Sequence, residues 1–269
     1  MKKIAILILA SLVFLAGCID KEVKVTVKPD GSGIIHETVL IKKEMYDQIM
    51  KQREKSNSKN KKLYTDEKLK ERAEGYGSGV TYESVTELEK EKRVGYKVVY
   101  TFKDINSVQV NRNMKDNVGK RKSGEEETDP ADFITFEMKK EDDKSVLTIN
   151  IPEKKPEDSD DKTDEPIDEK KLEKDIKLMQ LFFDGMRLAL HVEIDGTISR
   201  TSATHRKENR IIVYDLDFSE LVKDTEKMKE LSRSKPKTTA EMQKLLSDVP
   251  GFVMETKPRI KIYFEKNSP

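Results

Sequence analysis

The sequence predicts an α+β protein: antiparallel β-hairpins forming a twisted sheet, with several amphipathic helices packed on it. Three observations carry this. Runs in which apolar residues alternate with charged ones come in adjacent pairs joined by short polar turns, the period of half-buried hairpin strands. Other segments place apolar residues at three- and four-residue steps, the period of a helix with one buried face. Hairpins and helices are intermixed, which suggests an antiparallel sheet with helices against it.

The elements follow in order. "KEVKVTVKPDGSGIIHETVLI" reads as a hairpin: Val23, Val25 and Val27 alternate inward, Pro29, Asp30, Gly31 and Gly33 supply the turn, and Ile35 to Ile41 return. "KEMYDQIMKQREK" has Met45, Ile49 and Gln52 at helical spacing, and "TDEKLKERAEG" is a short helix with Thr65 as N-cap and Gly75 as the residue that ends it. A second hairpin runs from Val80, Tyr82 and Val85 to Tyr96, Val98, Tyr100 and Phe102. A third joins "FITFEMKK" to "SVLTINIP". Helix 168–184 carries the clearest stripe, Leu172, Ile176, Met179 and Phe183, and Gly185 closes it. Strand 186–195 turns Leu188, Leu190, Val192 and Ile194 inward, leaving Arg187, His191 and Glu193 for solvent or a partner. "NRIIVYDLDF" is its expected neighbour. "SELVKDTEKMKEL" reads as one helix, Thr238 and Glu241 open another with a capping box, and "RIKIYF" ends the chain as a strand.

Two stretches, near 119–132 and 152–168, are charged and nearly free of apolar residues. They bury too little to offset their ordering entropy and are expected to be mobile loops. Charged residues make up 38% of the chain, so the core is small for its 269 residues.

The chain opens "MKKIAILILASLVFLAGC". Two lysines, a short apolar run and small residues at its end form a secretory signal peptide over residues 1–17, and the run is shorter than the roughly 20 apolar residues of a spanning helix. Leu15, Ala16, Gly17 and Cys18 resemble the lipobox of bacterial lipoproteins. The resemblance implies recognition of Leu15, Ala16 and Gly17 by signal peptidase II, transfer of a diacylglyceryl group (with palmitate or similar acyl chains) to the Cys18 thiol, and a mature extracytoplasmic domain over 18–269. Two or more acyl chains hold a protein stably on a membrane. The expected location is the extracytoplasmic face of a bacterial cell membrane or outer membrane. Ile19 stands where an inner-membrane retention aspartate would.

Without Lys2 and Lys3 the mature chain has 50 basic and 51 acidic residues, so no net field draws it to nucleic acid. Cys18 is the only cysteine, which excludes disulfides within the chain and, once acylated, a thiolate nucleophile or metal ligand. Tryptophan is absent, which weakens sugar stacking.

No catalytic or metal-binding set stands out. His36, His191 and His205 lack the short spacing of a zinc site. "GYGSG" (75–79) follows a helix and precedes a strand, the reverse of a phosphate-binding loop, and reads as a connection. "DSDDKTDE" (158–165) starts with Ca²⁺-loop spacing, but Lys162 takes the next ligand position and the loop's glycine is missing. No G-x-S-x-G or Ser-x-x-Lys element surrounds a serine. No cofactor is expected. "VTVKPDGSG", "YTFKDIN", "MRLALHVEIDGTI" and "NRIIVYDLDF", taken with the lipobox, resemble a loosely defined class of bacterial lipoproteins and, distantly, the mycobacterial LppM-type domain. That resemblance implies an envelope function of binding or assembly, with an envelope protein or a lipid as partner, and transfers no catalytic residue. The alternatives are an envelope hydrolase with an unrecognised carboxylate site and a lipid-binding carrier.

Overall fold

The computed structural model describes residues 19–56, 60–112, 132–141, 144–153, 169–234, 236 and 238–266. The leader with Leu15, Ala16, Gly17 and Cys18, the acidic stretch 158–165, and nearly all of the two charged stretches lie outside these residues. The α+β class holds, with the hairpins divided between two sheets. In the first, strands β1 (Ile19–Val27), β2 (Gly33–Lys42), β3 (Thr81–Lys90), β4 (Arg93–Phe102), β8 (Arg187–Ile194), β10 (Arg206–Lys207) and β11 (Arg210–Asp217) take the order β10-β11-β8-β1-β2-β4-β3. Strand β12 (Phe252–Met254) is paired to β11. In the second, β5 (Gln109–Asn111), β6 (Phe133–Glu141), β7 (Lys144–Asn150), β9 (Thr197–Thr201) and β13 (Arg259–Glu265) take the order β5-β6-β7-β13-β9.

The three expected hairpins are β1–β2, β3–β4 and β6–β7, and β11 pairs antiparallel with β8 as expected. The pairing that sequence did not suggest is β1 with β8, parallel, from Asp20↔Arg187 to Val27↔Ile194. It makes β1 an interior strand. The two sheets share one core. Val25, Val27, Ile35 and Tyr100 of the first meet Ile149, Ile260, Ile262 and Phe264 of the second, all fully buried. Burial of each such aliphatic side chain contributes about 1.5–3 kcal/mol.

Six α-helices are present among the described residues: α1 (Lys43–Lys55), α2 (Asp66–Gly75), α3 (Glu169–Phe183), α4 (Phe218–Leu221), α5 (Thr225–Ser234) and α6 (Thr239–Leu246). Helix α2 lies on the inner face of the first sheet through Leu69 and Ala73. Its N-cap is Thr65, whose hydroxyl accepts from Lys68 N, but Gly75 does not end it. Gly75 sits in the last turn, and the positive φ (+125°) falls at Gly77, where a Cβ would lie 1.9 Å from the Ser107 carbonyl oxygen. "GYGSG" is thus a connection packed against the 3-10 turn Ile105–Ser107.

Helix α3 carries its stripe as expected. Leu172, Ile176, Met179 and Phe183 join Met186, Leu188, Phe218, Leu221, Met228 and Leu246 in a second apolar cluster at one end of the first sheet. Gly185, at φ +75°, turns the chain from α3 into β8. The segment read as one helix over 219–231 is two. Asp217 caps α4 by accepting from Ser219 N, and Asp224 accepts from Lys227 N to start α5. The N-cap half of the box at Thr238 forms, its hydroxyl accepting from Glu241 N at 3.1 Å.

Candidate functional site

The outer face of the first sheet carries the densest charge pattern. Period-2 alternation puts Asp20, Glu22 and Lys24 of β1, Arg187, Ala189, His191 and Glu193 of β8, and Asp215 and Arg210 of β11 on this one surface. Arg187 reaches across the small Ala189 slot to Asp215 with two hydrogen bonds, Nε to Oδ1 at 2.8 Å and Nη2 to Oδ2 at 2.7 Å. This is the paired geometry that makes guanidinium–carboxylate bonds strong. Its Nη1 also faces Asp20 at 3.4 Å and Glu22 at 3.3 Å. His191 stands between two carboxylates, with Nδ1 3.7 Å from Glu22 and Nε2 3.4 Å from Asp215. Both distances exceed a tight hydrogen bond, so charge holds the ring more than directional bonding does.

The site corrects the expected solvent exposure of this face. His191 does point away from the core, yet it is only 4% exposed. Ionic partners from the neighbouring strands cover it, a feature that alternation within β8 alone does not reveal.

The electrostatics follow from these contacts. The contact with His191 is the largest influence on Glu22, and with the charge of Arg187 it outweighs burial and holds the carboxyl down to about 2. Burial works against ionised Asp215, but His191 and Arg187 outweigh it and its pKa is lowered. Burial likewise opposes protonated His191, while Asp215 and Glu22 raise its pKa above the ordinary value. His36, across Lys24 in register, goes the other way, lowered first by burial and then by Lys97 and Lys24. Glu193 binds Lys24 at 3.0 Å and faces Arg210 at 3.7 Å.

A second ionic group lies on the inner face. Glu37, fully buried, accepts from Arg72 Nη1 at 2.9 Å and Tyr76 Oη at 3.0 Å, and Lys21 Nζ is 3.3 Å away. Burial opposes its charge, but Lys21 and Arg72 lower its pKa. This group ties α2 to β1 and β2. The inward slot between Ile35 and Val39 in "IIHETVL" was its sequence signal. Another buried carboxylate, Glu255, accepts from Thr204 N and Oγ1 and from the backbone N–H groups of Thr256 and Lys257, stapling two loops.

Among the described residues, no group of three His, Cys, Asp or Glu side chains is placed to hold a metal ion, and no helix is long and apolar enough to cross a membrane. His205 belongs to neither ionic group.

No protein-family description and no curated protein matches the chain. Among solved structures, the chain is similar to the folded domain of LppM from Mycobacterium tuberculosis, determined by NMR. The TM-score is 0.35 at 10% identity, covering 94% of this chain and 93% of that one. At that score the likeness is distant, and no residue role is transferred from it.

Proposed function

We propose that the chain is a lipid-anchored extracytoplasmic protein of the bacterial envelope, held on a cell membrane or outer membrane through Cys18, and that it works as a binding or assembly module rather than as an enzyme. The supporting observation is the junction. Strand β1 begins at Ile19, one residue beyond Cys18, so an acylated cysteine would be attached directly to an interior strand of the larger sheet. A hydrolase using a carboxyl group as general acid would need that group kept protonated near neutral pH. Glu22, Asp215, Glu37 and Glu255 are all shifted downward instead, as suits ion pairing and hydrogen bonding.

The test is Cys18→Ser in the full chain, followed by membrane fractionation. The variant is expected to leave the membrane fraction or to persist as an unprocessed precursor. Normal processing with continued partition into membranes would overturn the anchor.

A further inference from the structure

The surface of α3 opposite its buried stripe has no role in the fold. Lys174, Lys177, Leu178 and Leu181 follow the spacing i, i+3, i+4, i+7 and so share one helix face. All four are exposed, and Leu178 (49%) and Leu181 (50%) are the two exposed large hydrophobic residues among those described. Glu173 and Asp175 lie between this face and the buried one. Apolar anchors flanked by lysines on an exposed helix face are the composition of a helix that lies in a membrane interface.

The fold puts this face at the tethered end of the domain. Helix α3 runs through Gly185 into β8, whose first residue, Arg187, pairs with Asp20. Lys42, at the end of β2, binds Asp184 at 2.5 Å, and Arg93 Nη2 donates to the Gly185 carbonyl at 2.9 Å. The last turn of α3 therefore shares an end of the sheet with Ile19. Exposed Lys90 and Lys92, in the β3–β4 turn beside Arg93, stand at the same end.

We infer that α3 docks on the anionic phospholipid surface to which Cys18 is tethered, with Leu178 and Leu181 entering the interface and Lys174 and Lys177 meeting lipid phosphates. This rests on the anchor proposed above. The occupant is a bilayer rather than a protein because the apolar pair is small, its neighbours on the face are cationic, and a tether one residue before β1 keeps this end beside lipid.

The chain has no tryptophan, so an introduced one reports alone. The acylated full chain carrying Leu181→Trp would be placed on vesicles of phosphatidylglycerol and phosphatidylcholine with brominated acyl chains. Tyr263→Trp, on the outer face of the second sheet near the β1–β2 turn, is the remote reference. The expected result is a blue-shifted Leu181→Trp emission, quenched several-fold more than that of Tyr263→Trp. Replacing Lys174 and Lys177 together by glutamate should lower the docked-to-undocked ratio about thirtyfold or more on anionic vesicles, at ~1 kcal/mol per lysine, and little on phosphatidylcholine alone. If the chain sediments with vesicles while Leu181→Trp emission stays water-like, or is quenched no more than the reference, the docking face is refuted and the anchor stands. An equal loss on neutral vesicles refutes the anionic partner. If the purified chain carries no acyl group and does not sediment, the anchor fails and the docking falls with it.

Discussion

Replacing Glu37 by glutamine keeps the shape of the side chain and removes its charge from the interface between α2 and the sheet. Glu37 receives bonds from Arg72 and Tyr76 and the charge of Lys21, and has no exposed surface. Hydrogen bonds to charged groups contribute about 1.5–3 kcal/mol each, and removing one partner of a sealed ion pair costs about 3–5 kcal/mol. The interface is not fully sealed, because the Arg72 side chain is 39% exposed and can turn to water, and the amide keeps some bonding to Tyr76. The expected loss is therefore about 3 kcal/mol at neutral pH, read as a fall in the urea midpoint or about 6–12 °C in Tm. The pH dependence gives a second reading. Glu37 has its pKa lowered on folding from an ordinary value of 4.5, so its charge contributes stability above that pH and the contribution is lost as pH falls through the folded value. The gap between wild type and Glu37→Gln should narrow in acid. A variant as stable as wild type at neutral pH, or a gap that stays constant into acid, would refute the assigned role.

Three further outcomes are expected. His191→Gln should cost about 1–3 kcal/mol by removing one of the two cations, His191 and Arg187, that Glu22 and Asp215 share. Because the His191 pKa is raised on folding, the loss should be largest below pH 6.5 and disappear in alkaline buffer, as paired urea titrations would show. Phe183→Ala should cost about 2–3 kcal/mol, below the 3–5 of a sealed core ring, since Phe183 is half-buried and stacked on Phe218 at 4.7 Å; a harmless change by thermal melting would contradict this packing. Gly77→Ala should cost about 2 kcal/mol or more, whereas Gly75→Ala, with nothing within 4 Å of its Cβ, should be neutral or stabilising; equal Tm values for the two would refute the close approach to Ser107.

Local pattern was legible where one residue's neighbours in sequence decide its place. The alternation of Val23, Val25 and Val27, the stripe from Leu172 to Phe183 and the cap at Thr238 all formed as expected. The ionic face was not legible, because it depends on register between distant strands. Nothing near Glu22 in sequence indicates that the parallel pairing of β1 with β8 sets it beside Arg187 and His191. The second sheet was hidden for a similar reason. Its short edge strand Gln109–Asn111 and the strand Thr197–Thr201 are too brief for periodicity to mark them. The break between α4 and α5 could have been anticipated from Asp224, an N-capping residue type standing inside a run that otherwise keeps helical spacing.

Strand β1 lies between β8 and β2, held on both edges from Ile19 or Asp20 to Val27. A pull on an anchor at Cys18 would run along this strand's axis. The load would then fall in shear on two full ladders of backbone hydrogen bonds at once, where an edge strand pulled the same way would have only one. The same arrangement delays completion of the fold until late in synthesis. β1 precedes β8 by most of the chain, yet β8, one of its two neighbours, begins at Arg187, so the strand waits for that length before its sheet can close around it.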